Sequence, residues 1–260
     1  MHLIFIRHGD PDYRNNTVTE KGRRESELLA KRIAGWQGIT DFYVSPYGRA
    51  QDTLKPALEL LNRTAETMPW LREFDHHIID PRTGKERSVC WDWLPRDHFA
   101  EKKHFDRDKC FRTGTFKKAG IEGYYRDVCK GFDELLARYD YTRIDARTPI
   151  YNCLPHLSEE EAALDSHLAA TQKELDPRRL VFVCHLGVMF AIIGYLTGIS
   201  PVQLWQGFFV APTSVTVLGA EERVPGEVVF RVQQLGDVRH LADGEEGVSA
   251  SGFFGSCLDL

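Results

Sequence analysis

The chain has 260 residues, a formal net charge of −5, 42% hydrophobic and 27% charged residues. That length allows one large or two small domains, and the composition excludes intrinsic disorder and collagen-like repeats. It also provides no overall basic surface for nucleic acid or an anionic membrane, so any anionic ligand must be bound locally.

The six cysteines are scattered without a C-x-x-C pair, which predicts neither a zinc ribbon nor a disulfide framework. Reduced thiols indicate a reducing compartment, and the N-terminal residues lack the pattern of a secretory signal, so we expect a cytoplasmic protein. Residues 180–220 contain no charged side chain. Because His185, two glycines and Pro201 interrupt this stretch, we interpret it as a buried strand and helix rather than a membrane span.

Hydrophobic periodicity and turn residues predict alternating strands and helices at the start of the chain. The predicted order is strand 2–7, helix 19–36, strand 41–45, helix 47–61 and strand 65–69. Such alternation is typical of a parallel sheet with helices on both faces. The predicted fold is therefore a three-layer α/β/α sandwich with a mostly parallel central sheet.

The alternation lapses over about residues 74–120, which are rich in charged and aromatic side chains. We interpret this segment as a cap insertion within a single domain of residues 1–260. The pattern then predicts helices at 121–139 and 158–175, a strand at 180–184, a helix at 187–197, and strands near 213–218 and 228–234. The Gly/Ser-rich tail after residue 242 ends in apolar residues that we expect to dock on the domain.

Arginine and histidine residues follow three of the predicted strands. The first strand runs into Arg7 and His8, the second leads to Arg49 in the first turn of a helix, and a later strand leads to His185. Ligands of open α/β sheets bind at the carboxyl ends of the strands. We therefore expect these four side chains to converge at one edge of the sheet.

Five short segments carry a more specific pattern: I-R-H-G at 6–9, T-E-K-G at 19–22, S-P-Y-G-R-A-Q-D-T at 45–53, L-R-E at 71–73 and V-C-H-L-G at 183–187. In order and spacing they resemble the histidine phosphatase superfamily, in its phosphoglycerate-mutase-like branch. The resemblance implies that His8 accepts the phosphoryl group and that Glu73 is the proton donor. It also implies that Arg7, Arg49 and His185 bind the phosphoryl oxygens.

Physical chemistry supports those roles. A phosphoryl group in transfer spreads negative charge over its oxygens, which Arg7 and Arg49 can bind with planar forks of donors. The same cations should lower the pKa of His8 and keep one ring nitrogen free to attack phosphorus. Glu73 can protonate the leaving alkoxide and later activate water, with Asp75 as the alternative acid.

Two segments depart from the family pattern. Leu186 stands where glycine is common, although its backbone N–H is still expected to bind phosphate. Residues 10–18 lack the longer, tryptophan-containing segment of the cofactor-dependent mutases, which weakens a mutase assignment. Asn15 or Asn16 in that loop could donate to phosphate or could simply be solvated.

Within the predicted cap, residues 102–118 hold seven Lys and Arg against two Asp. This basic stretch is either a solvated face or a subsite for a second anionic group. Trp91, Trp93 and Phe99 are expected to form a small core of the cap, and the alternative is that they stack on a ligand ring. A metal site among the histidines and cysteines of this segment is disfavoured, because no H-E-x-x-H or C-x-x-C spacing is present. The histidines concerned are His76, His77, His98 and His104, and His240 near the C-terminus is expected to be structural.

The sequence thus predicts a metal-independent phosphomonoesterase that acts through phosphohistidine on a small phosphorylated metabolite, with no cofactor. One alternative is a phosphomutase of the phosphoglycerate mutase type. Another is a phospho-ligand-binding module without turnover. The expected partner is a small phosphate ester rather than nucleic acid or a membrane, and a homo-oligomer is compatible with the sequence.

Overall fold

The computed structural model describes residues 1–87, 89–160 and 176–257. Its first elements are β1 (His2–Arg7), β2 (Pro11–Asp12), β3 (Thr17–Val18), α1 (Glu20–Ala34), β4 (Ile39–Val44), α2 (Gly48–Leu61) and β5 (Glu66–Thr67). They are followed by β6 (Ile78–Ile79), β7 (Glu86–Arg87), α3 (Pro95–Ala100), α4 (Gly114–Lys118), α5 (Ile121–Ala137), β8 (Thr142–Arg143) and β9 (Ile150–Asn152). The last elements are β10 (Arg179–Cys184), α6 (Leu186–Thr197), α7 (Pro201–Gly207), β11 (Val215–Val224), β12 (Glu227–Asp237) and α8 (Arg239–Ala242).

Eight of these strands form one mixed sheet, in the order β5-β4-β10-β1-β11-β12-β9-β8. The half from β5 to β1 is parallel, whereas β11, β12, β9 and β8 extend it in antiparallel fashion. The strands predicted to be parallel are those of the half from β5 to β1. Arg7 of β1 pairs with Cys184 of β10, so His8 and His185 leave the sheet side by side.

The side chains of β1 alternate between two apolar layers, as a strand covered on both faces requires. Leu3 and Phe5 belong to a buried cluster with Phe132 of α5 and the apolar residues of α6. The intervening residues of β1 belong to a second cluster with Leu29 of α1 and Leu54 of α2. The α/β class and the three-layer arrangement are therefore confirmed.

The strands and helices predicted before residue 74 are observed with small shifts of their ends, as are α5, β10 and α6. Strands β8 and β9 and helix α7 were not predicted, because each is too short to show a periodic pattern. Strands β11 and β12 are longer than predicted and form one hairpin. Of the predicted helix at 158–175, residues 161–175 lie outside the described residues. No helix in the described part of the chain is long and apolar enough to cross a membrane.

The segment of residues 74–120 contains the β6–β7 hairpin and helices α3 and α4, and it packs against the domain. Phe111 and Phe116 belong to the same buried cluster as α5 and α6. Trp93 stacks edge-on against Phe116 and donates to the carbonyl of Cys90 at 2.8 Å. Phe99 remains 63% exposed, so its predicted place in a cap core was wrong. Phe99 comes directly after His98 in α3 and faces solvent.

The histidines and the basic stretch of this segment have local partners. His76 stacks on Tyr124, His77 lies 3.1 Å from Glu86, and His98 stacks on His104. Three of the seven cations are in ion pairs with nearby carboxylates: Arg107 with Asp108, Lys109 with Asp106, and Arg112 with Glu122. The three ion pairs are those of a locally paired surface, whereas His98 and His104 are buried inside the segment.

Candidate active site

The site residues meet at the carboxyl ends of β1, β4 and β10, where the parallel strands end together. The His8 and His185 rings have centroids 5.0 Å apart and are 1% and 0% exposed. The convergence follows from strand pairing, because Arg7 pairs with Cys184 and Val44 pairs with Val183. The sheet therefore brings together the three chain segments that the sequence singled out.

His8 has a defined tautomer. Its Nδ1 lies 2.8 Å from the carbonyl oxygen of Gly9, and a carbonyl can only accept, so Nδ1 carries the proton and Nε2 holds the free electron pair. Burial, followed by the charge of Arg7, lowers the pKa of His8 well below its usual value. A neutral imidazole with a free nitrogen is the form that can attack an electrophile.

His185 is fixed by a residue that sequence reasoning did not select. Its Nε2 lies 2.7 Å from Ser45 Oγ, at the end of β4, while its Nδ1 is buried with no hydrogen-bond partner. Burial lowers the pKa of His185 well below the usual value. If Ser45 donates to Nε2, the proton of the neutral ring resides on Nδ1, which makes Nδ1 a donor.

The Arg7 guanidinium is 3% exposed and is held by backbone carbonyls. It donates to Val210 at 2.7 Å and to Ser251 at 2.8 Å, and Phe209 lies beneath it with the ring centroid 5.5 Å from Cζ. Its Nε is buried without a partner. The docking of the C-terminal tail was expected, but its position against Arg7 was not.

Arg49 is 7% exposed in the first turn of α2. It donates to the Asn16 side-chain oxygen at 3.0 Å and lies over the Tyr47 ring, 4.8 Å from its centroid. Gly48 allows this approach, since a Cβ there would lie 2.3 Å from the Asn16 carbonyl oxygen. Asn16 thus orients Arg49, whereas Asn15 donates to Asp12 at 2.7 Å.

Neither guanidinium is neutralised by a carboxylate. Within residues 1–87, 89–160 and 176–257, no ion pair joins Arg7 or Arg49 to an acidic side chain. Their partners are neutral oxygens and aromatic rings. Glu73 interacts electrostatically with both arginines but forms no ion pair with either. The two buried cations therefore create a positive potential that favours an anion at this edge of the sheet.

Glu73 lies just after the short turn at Pro69–Leu71. It is 9% exposed, and its Oε1 accepts from the backbone N–H of Phe74 at 2.7 Å and of Val188 at 3.1 Å. Burial raises the pKa of Glu73 in spite of these bonds. A carboxyl with a raised pKa is suited to hold and release a proton.

The other two predicted positions lie at the margin. Asp75 accepts from Tyr47 at 2.9 Å and pairs with Arg72 at 3.0 Å, and its side chain is 31% exposed. Its carboxylate is thus committed to a surface network. Leu186 is the first residue of α6, so its backbone N–H lies at the positive end of that helix, and its side chain is buried.

Trp91 is a site residue that was assigned to the cap core instead. Its indole Nε1 is buried without a hydrogen-bond partner. A Cβ added at Gly187 would meet this nitrogen at 2.6 Å and Glu73 Oε1 at 2.5 Å. The segment 74–120 therefore reaches the carboxyl that the sequence identified as the acid, through a tryptophan that periodicity could not place.

These features define the class of protein as an α/β domain with a buried site at the sheet edge, where two arginines lie beside two histidines. Residues 3–113 match the histidine phosphatase superfamily (branch 1). The predicted resemblance to this superfamily is thereby confirmed over the part of the chain that holds Arg7, His8, Arg49 and Glu73. The match also includes most of the segment 74–120.

A curated relative and two solved structures are similar to the chain. A 2,3-bisphosphoglycerate-dependent phosphoglycerate mutase of Thermoplasma acidophilum is 34% identical over 94 residues, which cover 32% of this chain and 43% of that protein. The match therefore spans less than half of the relative. Phosphoserine phosphatase of Entamoeba histolytica, solved with 3-phosphoglyceric acid, has a TM-score of 0.54, with 16% identity over 92% of this chain and 98% of its own.

The second structure is mycobacterial glucosyl-3-phosphoglycerate phosphatase with inorganic phosphate. It also has a TM-score of 0.54, with 17% identity over 92% of this chain and 98% of its own. At these identities the two structures establish the fold, which agrees with the α/β/α architecture described above.

Proposed function

We propose that the protein is a phosphomonoesterase that acts through a phosphohistidine at His8 on a small phosphate ester. The observation that carries this proposal is the pair of buried, unneutralised guanidiniums, Arg7 and Arg49, beside a neutral histidine with a free Nε2. A dianionic phosphoryl group would supply the missing negative charge. In this proposal Arg7, Arg49, His185 and the Leu186 N–H bind the phosphoryl oxygens.

The first step is attack of His8 Nε2 on phosphorus, which forms the P–N bond as the ester P–O bond breaks. The departing alkoxide takes the proton of Glu73, whose raised pKa favours the protonated form. The His185 Nδ1 and the Nε groups of Arg7 and Arg49 are all buried without a partner. They are donors available to the charge that develops on the phosphoryl oxygens.

In the second step a water molecule attacks the phosphohistidine and transfers a proton to the Glu73 carboxylate. The P–N bond breaks, phosphate leaves, and both residues return to their starting protonation states. His8 keeps its Nδ1 proton throughout, because the Gly9 carbonyl holds it. The Gly9 contact therefore orients the ring for attack and for release.

A phosphomutase is the second candidate, favoured by the similarity to a phosphoglycerate mutase over 94 residues. It would use the same residues and return the phosphoryl group to an organic acceptor instead of water. Hydrolysis is preferred because the loop at residues 10–18 is short. A binding module without turnover would leave the buried Glu73 carboxyl without a chemical role.

We propose further that residues 74–120 form the cap that selects the leaving group, within one domain of residues 1–260. The contact that supports this is Trp91, which lies beside Glu73. Three basic residues at 107–112 are already in ion pairs with neighbouring carboxylates. Trp91 is therefore a better candidate for contact with the substrate than these basic residues.

The deciding experiment is a panel of phosphorylated metabolites assayed for phosphate release and for isomerised phosphoester. Acid-labile, base-stable labelling of wild type but not of His8→Ala is the expected signature of phosphohistidine. Leu60→Ala, a 59% exposed position near the end of α2 and outside the proposed chemistry, serves as a folded control. Isomerised product without phosphate release would favour the mutase, and binding without turnover would favour the module.

A further inference from the structure

A cluster of side chains that could bind a metal ion lies at the end of the strands opposite to His8. Cys153 and His156 follow β9, and Glu222 lies near the end of β11, where Gly226 turns the chain into β12. Val215 of β11 pairs with Ile6 and Gly219 pairs with His2. Glu222 therefore lies beyond the start of β1, roughly 20 Å along the strand from the active-site edge.

The three potential ligand atoms face one another. Glu222 Oε2 lies 3.0 Å from His156 Nδ1 and 4.0 Å from Cys153 Sγ, and Sγ lies 3.9 Å from Nδ1. A tetrahedral zinc ion with bonds of about 2.3 Å to sulfur and about 2.0 Å to nitrogen or oxygen separates sulfur from its neighbours by about 3.6 Å. It separates nitrogen from oxygen by about 3.3 Å. Small adjustments of each side chain would satisfy these distances.

The surroundings hold these ligands in place. Glu222 is 6% exposed, and its Oε1 accepts from the backbone N–H of Gly226 at 2.8 Å and of His156 at 3.1 Å. Oε2 accepts from the His156 backbone N–H at 3.2 Å and faces the imidazole and the thiol. On the far side of the ring, His156 Nε2 faces the Asp176 carboxylate at 4.0 Å. A carboxylate beyond the second nitrogen is the usual environment of a metal-bound histidine.

We propose that Cys153, His156 and Glu222 form a binding site for zinc or a cation of similar softness, with water as the fourth ligand. The cation would take the place of the Cys153 thiol proton, which is released to solvent. The proton on His156 Nδ1 moves to Nε2, which faces Asp176, so the ring binds the cation as a neutral imidazole and Glu222 binds it as a carboxylate. A sulfur, nitrogen and oxygen donor set suits zinc, whereas magnesium and calcium prefer oxygen alone.

The site would have a structural role. It joins the loop after β9 to the β11–β12 turn, two parts of the chain that are 66 residues apart in sequence. They already meet through the Glu222 carboxylate and through the Cys153 backbone N–H, which donates to the Gly226 carbonyl at 2.9 Å. The His156 side chain is 21% exposed, which provides a path for the ion. Because the cluster lies at the far edge of the sheet, zinc binding should leave phosphate release unchanged.

The test is titration of the chelator-treated, full-length protein with Co²⁺ and then Zn²⁺. We expect one equivalent of Co²⁺ to give the visible bands of a four-coordinate site and a thiolate-to-cobalt charge-transfer band, all displaced by Zn²⁺. Cys153→Ser should lose the charge-transfer band. Cys257→Ser is the matched control, since these two cysteines are the partly exposed ones in the described chain, and it should retain the band.

Thermal unfolding provides a second readout. Zinc should raise the Tm of wild type and of Cys257→Ser but not of Cys153→Ser, whose metal-free Tm should match wild type. If Cys153→Ser does not fold, His156→Gln takes its place and should weaken cobalt binding. The proposal fails if micromolar Co²⁺ gives no charge-transfer band, or if the band survives Cys153→Ser or disappears in Cys257→Ser.

Discussion

Gly187→Ala is the sharpest test of the proposed proton donor, because it moves Glu73 without altering its chemistry. The new Cβ would lie 2.5 Å from Glu73 Oε1 and 2.6 Å from Trp91 Nε1. Ordinary contacts begin at about 3.5 Å, so the carboxyl must move away by about 1 Å. A displacement of this size at a reacting group costs about 100-fold in rate.

The stability cost should be small by comparison. The clashing atoms are the ends of side chains, which can turn away, and alanine gains up to about 1 kcal/mol over glycine in a helix. Overpacking of about 1–3 kcal/mol would be partly offset by this gain. We therefore expect a variant with a Tm near wild type and a kcat reduced about 100-fold on alkyl phosphates.

Gly194→Ala, in the same helix, separates the two effects. Its Cβ would lie 2.8 Å from the backbone carbonyl oxygen of Ile199, which cannot turn aside, and it is about 10 Å along α6 from Gly187. It should lower the Tm and leave kcat unchanged. The assay is steady-state turnover of an alkyl phosphate, the pre-steady-state burst with an activated aryl phosphate, and thermal unfolding. Normal alkyl phosphate turnover in Gly187→Ala would refute the placement of the acid.

The remaining predictions concern the nucleophile, the acid, metal independence and pH. His8→Ala should abolish phosphate release, and retention of more than about a hundredth of wild-type turnover would contradict the nucleophile assignment. Glu73→Gln should lose far more activity on alkyl than on aryl phosphates in the first step and accumulate phosphohistidine, whereas the same pattern in Asp75→Asn would reassign the acid. Exhaustive chelation should not lower turnover, and loss that zinc or magnesium restores would establish a metal requirement. Burial lowers the pKa of His240 from 6.5 to about 4. The unfolded state therefore binds more protons between these values, and stability should fall by up to about 3 kcal/mol as the pH drops from 6.5 to 4. Denaturant unfolding of His240→Gln should show a smaller fall, and an equal one would refute the assignment.

The parallel half of the fold was predictable because each of its elements carries a strong local pattern. The apolar strands β1, β4 and β10 are followed at once by His8, Ser45 and His185, and parallel pairing then requires those ends to meet. The antiparallel half was less predictable. Strands β8 and β9 have two and three residues, too few for any period to appear.

The positioning residues were missed for a different reason. Ser45 and Asn16 act through single hydrogen bonds, to His185 at 2.7 Å and from Arg49 at 3.0 Å. Such bonds depend on where loops place two side chains in space, and neither composition nor periodicity predicts that placement. The signal available for Asn16 was its position in a short polar loop, which the sequence left open between a phosphate donor and a solvated residue.

The contact between Arg7 and the C-terminal tail explains how Arg7 can be buried and oriented and still be able to bind a phosphoryl group. A guanidinium has five N–H groups, and the bonds to Val210 and Ser251 use two of them. The buried Nε is among the donors that remain. Gly252, at φ +84°, turns the tail past the guanidinium, since a Cβ there would lie 3.1 Å from Nη2. The tail therefore orients the fork of Arg7 without adding negative charge, so the positive potential stays available to a phosphoryl group. A carboxylate in the place of the Ser251 carbonyl would have neutralised it.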